Sequence, residues 1–145
     1  SLHRAGQRRG GAGRRMIRAV LLVGLLALPA AAQERIAPEA FLDAADGRTL
    51  TFRTYPTGEL VGIEEFLSRS RTVWARADRS CAYGRVEVRD ERLCFLYDDE
   101  PGVEHCWLTL RRDATLYVLM PGTGEVQLVS DITDKPVACT NAPLS

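Results

Sequence analysis

The sequence predicts an all-β domain, an antiparallel meander of about eight short strands that closes toward a small barrel, with one short N-terminal helix. Eight short segments follow one another closely, and several alternate apolar and polar residues, as half-buried antiparallel strands do. The connections between them are too short for crossover helices, so neighbouring segments should pair as hairpins. The segments are 49–55, 60–67, 72–76, 83–89, 92–97, 103–110, 115–120 and 126–130.

A single helix is predicted before the strands, over residues 38–46. Pro38 suits the first helical position, and Gly47 can end the helix. Phe41 and Leu42 give the segment an apolar side. Because an isolated helix of two turns is marginal in water, we expect it to pack against the strands.

The N-terminal part of the chain has the pattern of a secretory signal peptide. Residues 16–32 combine a short positive start, an apolar stretch and small residues before Gln33. We therefore expect cleavage after Ala32, with an uncleaved anchor or a buried helix as the alternatives. Residues 1–15 are interpreted as a non-native upstream start, and residues 33–145 as a single mature β domain.

The charge of the expected mature region argues against several partners. Residues 33–145 contain 13 basic and 19 acidic side chains, and this net negative charge disfavours nucleic acid and anionic lipid. They contain one histidine, His105, so a histidine cluster within one chain is excluded. We predict no cofactor, no metal and no nucleic-acid partner. We also predict no integral membrane segment after cleavage, because the chain lacks an apolar run of about 18 residues.

Four cysteines, all after the expected cleavage point, predict two structural disulfides. An even number of cysteines in an exported chain is typical of an oxidising compartment. Zinc sites use closer pairs than these cysteines, which are 13, 12 and 33 positions apart. The four residues are Cys81, Cys94, Cys106 and Cys139.

Hairpin geometry predicts how the cysteines pair. A two-residue turn between segments 83–89 and 92–97 places Cys94 opposite Glu87, which leaves Cys81 about 20 Å away along its strand. The next hairpin places Cys94 directly opposite Cys106. We therefore predict a Cys94–Cys106 bond and a Cys81–Cys139 bond, although a register error of one residue would remove this reasoning.

A set of residues in the mature region resembles a known group of proteins. It comprises 47–52, Glu64-Glu65, Trp74, Cys81, Gly84, 93–97, Cys106-Trp107 and Cys139. On these residues the chain resembles small exported, disulfide-containing proteobacterial proteins of unassigned activity, over nearly all of the region from about Pro38. The resemblance implies kinship and no particular chemistry. The chain departs from it at Val86, where similar sequences more often carry Trp.

Aromatic residues on the predicted strands are candidates for lining a cavity. A barrel of eight strands is just wide enough to hold one small ligand. The alternative is that the aromatic side chains only fill the core, since a domain of this size needs bulky interior residues. The candidates are Trp74, Tyr83, Phe95, Tyr97, Trp107 and Tyr117.

The only dense acidic group lies between two predicted strands. Its carboxylates could bind calcium, but they lack the alternating spacing and central glycine of a known calcium loop, and a solvated hairpin tip is the simpler interpretation. No catalytic residue is predicted, because no nucleophile motif is present. The group consists of Asp98, Asp99, Glu100 and Glu104.

The sequence therefore favours a periplasmic or secreted binding or interaction module without catalysis. Its partner would be a protein, as for a hydrolase inhibitor, or a small apolar ligand that the module carries; the inhibitor form rests on analogy alone. The alternative is a periplasmic enzyme of unknown reaction that uses the acidic group at 98–104.

Overall fold

The structure is a computed structural model that describes residues 32–141 and six isolated positions before them, 6, 10, 11, 13, 19 and 24. The predicted upstream segment, 1–15, and the predicted signal peptide, 16–32, thus lie almost wholly outside the described residues. The elements are β1 (Glu34–Arg35), α1 (Pro38–Ala45), β2 (Thr49–Thr54), β3 (Leu60–Phe66), β4 (Arg71–Arg76), β5 (Cys81–Arg89), β6 (Arg92–Tyr97), β7 (His105–Arg112), β8 (Thr115–Leu119) and β9 (Val126–Thr133).

Strands β2 to β9 form a closed antiparallel barrel of eight strands. Each pairs with the next strand along the chain, and β9 pairs with β2 to close the sheet. The predicted all-β meander with a short helix is confirmed. The largest differences from the predicted segments are at β7, which begins and ends two residues later, and at β9, which continues to Thr133.

The short strand β1 was not predicted. It pairs with β7 through Glu34 opposite Arg111 and Arg35 opposite Leu110, beyond the point where β6 stops pairing with β7. Immediately after β1, the Thr109 hydroxyl donates a hydrogen bond to the Ile36 carbonyl at 2.8 Å. A strand of two residues has no periodicity by which the sequence could predict it.

Helix α1 closes one end of the barrel. Phe41, Leu42 and Ala45 are buried and belong to the same core as the inward side chains of the strands. The ring centroids of Phe41 and Phe66, the last residue of β3, are 6.5 Å apart. The helix packs as expected and ends one residue earlier than predicted, where the Asp46 N–H donates to the Leu42 carbonyl at 2.8 Å.

The opposite end of the barrel carries the longer loops. The connections β2–β3, β4–β5, β6–β7 and β8–β9 meet there, because adjacent strands are antiparallel. No described helix covers this end. Within the part of the chain that the structure describes, no helix is long and apolar enough to span a membrane.

The structure contains both predicted disulfides. Cys94 and Cys106 face each other on β6 and β7 with their Cα atoms 4.0 Å apart. Cys81 binds Cys139 with their Cα atoms 5.6 Å apart, which fastens the C-terminal tail to the outer face of the barrel. There Val137 packs against a small second cluster that includes Val73. Two disulfides are typical of proteins in an oxidising compartment.

We predict that removing the tail disulfide costs more stability than removing the hairpin disulfide. The Cys81–Cys139 bond spans 58 positions and the Cys94–Cys106 bond spans 12. Because the longer loop constrains the unfolded chain more, the paired alanine variants should lose about 4 and about 3 kcal/mol of unfolding free energy respectively. Guanidinium unfolding followed by tryptophan fluorescence measures both losses. A larger loss for the hairpin pair, or no loss for either pair, would contradict this prediction.

Candidate functional site

The barrel interior holds a cavity of about 240 Å³. Its wall is mainly aromatic and apolar, with side chains from β2, β3, β4, β6, β7 and β8, and β9 contributes the polar Gln127. Residues of the β6–β7 and β8–β9 loops also line it, so the cavity opens at the end opposite α1. The apolar wall consists of Phe52, Val61, Trp74, Phe95, Trp107 and Val118.

Glu64 is the most deeply buried charged side chain at this cavity, with 1% of its surface exposed. The Tyr97 hydroxyl donates to its carboxyl, at 3.2 Å from Oε1 and 3.1 Å from Oε2. No described Lys, Arg or His forms an ion pair with Glu64. Burial raises the pKa of Glu64 to about 8, against smaller lowering effects from Thr72 and Tyr97. The carboxyl is therefore mostly protonated at neutral pH.

Two polar residues, Tyr97 and Thr72, lie next to Glu64, and they differ in whether they form a hydrogen bond with its carboxyl. Burial, followed by the charge of Glu64, raises the pKa of Tyr97 well above its usual range, so its hydroxyl keeps the proton that it donates. The Thr72 hydroxyl lies close enough to lower the pKa of Glu64, yet it has no described partner that meets hydrogen-bond geometry. Tyr97 is therefore the hydrogen-bond partner of Glu64 among the described residues.

Local alternation along β3 places Glu64 inside the barrel. Gly62 and Phe66 point inward with it, whereas Glu65 points outward and accepts a hydrogen bond from the Val137 N–H at 2.9 Å. Glu64 was not among the site residues predicted from the sequence. The sequence pattern that could have revealed it is a glutamate at the same alternating positions as the inward-facing residues of a strand. Because Glu64 and Glu65 are adjacent, this pattern did not show which of the two is buried.

Two glycines determine where the aromatic rings of the cavity lie. A Cβ atom at Gly62 would overlap the Trp74 indole, and one at Gly84 would lie 2.7 Å from the Tyr97 ring. Both rings therefore cover glycine backbone on a neighbouring strand. The Trp74 and Tyr97 ring centroids are 6.4 Å apart, with 32° between the ring planes.

Ion pairs hold the β6–β7 loop at the mouth of the cavity. His105 Nε2 lies 3.1 Å from Glu100 Oε2, and both side chains line the cavity. The Arg76 guanidinium contacts Asp99 at 2.6 Å and Glu100 at 3.8 Å. On the other side of the mouth, Glu125 belongs to the β8–β9 loop.

The structure brings together four of the six predicted aromatic residues. Trp74, Phe95, Tyr97 and Trp107 line the cavity, but Tyr83 and Tyr117 do not. Tyr83 faces outward opposite Val73 and packs in the cluster under the tail. Tyr117 lies between the inward residues Leu116 and Val118, and its ring meets the Tyr55 ring edge-on at 5.6 Å. Strand alternation puts these two tyrosines on the opposite face, so their prediction as lining residues is wrong.

The predicted acidic group does not converge on one point. Asp99 pairs with Arg76, and Glu104 pairs with Arg89 at 2.7 Å. Of the four carboxylates only Glu100 lines the barrel cavity, and Asp98 lies outside it. Within residues 32–141, no group of three or more His, Cys, Asp or Glu side chains is arranged to hold a metal ion.

No protein-family model, curated protein or solved structure matches this chain. Kinship with small exported proteobacterial proteins stays a prediction. The functional proposals for the chain therefore depend on the cavity and its side chains.

We predict that Glu64→Gln removes a pH-dependent loss of stability. Between the ordinary pKa of 4.5 and about 8, an unfolded Glu64 is ionised while the folded one keeps its proton. Raising the pH over this range therefore favours unfolding, by about 1.4 kcal/mol per pH unit. The variant cannot titrate at position 64, so its stability relative to wild type should rise from about pH 5 to pH 8 and level off above it. Urea unfolding at a series of pH values measures this difference.

Glu65→Gln is the matched control for this measurement, because it changes the neighbouring carboxyl on the outer face of β3. The stability of Glu65→Gln should fall with rising pH as the stability of the wild type does, because Glu64 is still present. A constant difference between wild type and Glu64→Gln from pH 5 to pH 9 would show that Glu64 titrates normally.

Proposed function

We propose that the protein is an exported binding module without catalysis that holds one small ligand inside its barrel. The observation that carries this proposal is the cavity, which lies inside a barrel that α1 covers at one end and which opens between loops at the other. Its aromatic wall and few polar groups are typical of small-molecule sites, where apolar contacts supply affinity and polar groups set orientation.

The size of the cavity limits the ligand. An apolar cavity of about 150 Å³ in another protein holds benzene, whereas drug-sized ligands occupy pockets of roughly 300 to 1,000 Å³. At about 240 Å³, this cavity suits a molecule of one ring or a compact branched group. A carrier of larger lipids would need a wider barrel.

The proposed location is the periplasm or the extracellular space. The signal-peptide pattern at 16–32 and the four cysteines support it, since disulfides persist in those compartments. Cleavage after Ala32 would leave β1 and α1 intact, because β1 begins at Glu34.

A protein partner, such as a hydrolase, is the less favoured form of this proposal. Docking surfaces usually present one contiguous apolar patch. The exposed large apolar side chains of the described residues are instead divided between the ends of the barrel. Tyr55, Leu60 and Val103 lie at the open end, and Leu67 and Val88 at the end near α1.

One specific observation favours an enzyme as the second candidate. Glu64, with its pKa raised to about 8, and Glu100 line the same cavity, and two carboxyls in different environments are able to act as acid and base. We favour binding because Glu100 is already held by His105 and Arg76. A reaction abolished by both Glu64→Gln and Glu100→Gln would replace the binding proposal.

We predict that small probes bind in the cavity and that a bulky residue at its mouth blocks them. The probes are choline, 3,3-dimethylbutan-1-ol and 3,3-dimethylbutanoate, which share one branched shape and differ in charge, together with the one-ring probe benzyl alcohol. At least one should cause saturable amide shifts of cavity residues in two-dimensional NMR. Met120 lies at the mouth, so Met120→Trp should weaken that binding about tenfold or more.

Leu119→Trp is the matched control, because Leu119 pairs with Val126 of β9 and alternates with the inward residue Val118, which places it on the outer face of β8. It should bind the same probe as wild type does. If no probe saturates at millimolar concentration, or if both tryptophan variants weaken binding equally, the cavity is not a ligand site.

A further inference from the structure

We propose that the ligand is a small organic cation, an ammonium group on an apolar body, held with its charge between the Glu64 carboxylate and the aromatic faces of the cavity. This inference rests on the proposed binding function and names the chemical class of the ligand. Three features of the cavity support it: the sign of its charges, the rings around Glu64 and the lack of a positive partner for that carboxyl.

The charged side chains that line the cavity are mostly acidic. Glu64 lies deep, Glu100 and Glu125 lie at the mouth, and His105 is the one basic side chain among the described lining residues. No described Lys or Arg lines the cavity, and the nearby Arg76 guanidinium is directed to Asp99 and Glu100 of the loop. The carboxylates of Glu125 and of an ionised Glu64 would attract a cationic ligand and repel an anionic one.

Aromatic side chains line the cavity into which a cation at Glu64 would bind. Trp74, Tyr97 and Trp107 line the same cavity as the carboxyl. The faces of aromatic rings attract cations, Trp most strongly, and quaternary ammonium groups are commonly recognised by such rings. Because Gly62 and Gly84 have no side chains, the Trp74 and Tyr97 rings are able to approach the backbone of the neighbouring strands closely.

Glu64 lacks the partner that a buried carboxylate requires. Its two oxygens share a single donor, the Tyr97 hydroxyl, and no described cationic side chain forms an ion pair with it. An ionised carboxylate that is buried without a positive partner is very costly. A ligand's ammonium group would supply that partner, and a neutral ligand would not.

Cation binding is therefore coupled to loss of the Glu64 proton. In the empty cavity the pKa of Glu64 is about 8, so at lower pH a bound cation must first expel this proton to solvent. The other groups that face the cavity are Tyr97 from β6, His105 from β7, Glu100 and Glu125 from the loops, and Arg76 from β4 beside the mouth. Among these, His105 is the basic side chain that lines the cavity, so a variant is used to separate its contribution from that of Glu64.

Choline tests the inference, because its charge does not change with pH and 3,3-dimethylbutan-1-ol has the same shape without the charge. At pH 9, choline should bind at least about tenfold more tightly than the alcohol and more tightly than 3,3-dimethylbutanoate. From pH 8 down to pH 6, its affinity should fall about tenfold per pH unit, while the affinity of the alcohol stays constant. Calorimetry at pH 7 in buffers of different ionisation enthalpy should show release of close to one proton.

Variants separate the contributions of Glu64 and His105. Glu64→Gln should reduce choline affinity at pH 9 to that of the alcohol and abolish its pH dependence, whereas Glu65→Gln should behave as wild type. His105→Gln should retain the dependence between pH 8 and pH 7. If Glu64→Gln does not fold, the proton release measured with the wild-type protein still tests whether Glu64 is the partner of choline.

The possible failures are distinguishable. If none of the four probes binds, the proposed binding function is wrong. If the alcohol or the anion binds as tightly as choline, the binding function stands and the cationic ligand is wrong. If choline binds most tightly without proton release, Glu64 is not its partner and the inference is overturned.

Discussion

The pairing of β2 with β9 is the constraint on which the rest of the structure depends. Six residue pairs, from Thr49 opposite Thr133 to Thr54 opposite Gln127, turn an open meander into a barrel. The register of β2 shifts once against each neighbouring strand, and such irregularities help a sheet to bend. Closure gives each strand of the barrel one enclosed face. Because α1 packs at one end of the barrel, the cavity opens at the opposite end.

Glu64 has its unusual properties because the barrel is closed. On an open sheet its carboxyl would face water, and nothing would raise its pKa. Inside the barrel it lies among rings that Gly62 and Gly84 allow to approach the backbone, with Tyr97 as its hydrogen-bond donor. A costly buried carboxyl beside the aromatic wall of the cavity is difficult to explain by stability alone, since a hydrophobic residue there would carry no desolvation cost. It is understandable as a group kept for a ligand.

Local patterns in the sequence predicted the eight strands of the barrel, their hairpins and both disulfides, because short connections leave little freedom of register. The same patterns did not predict which face of a strand is interior. Tyr83 and Tyr117 lie on outer faces that are themselves partly covered, by the tail and by Tyr55 respectively. Glu64 was missed for a related reason: its burial depends on closure by distant strands, and the cavity volume depends on how all the side chains pack.

Measurement of the pKa of Glu64 by carbon-13 NMR of the side-chain carboxyl tests the central claim most directly. The titration is performed on the free protein and on protein saturated with choline, with Glu64→Gln used to assign the signal. We expect a pKa of about 8 in the free protein and a clearly lower value in the choline complex. An ordinary carboxyl pKa in the free protein, or the same raised pKa with and without choline, would contradict the claim that buried Glu64 loses its proton when a cation binds.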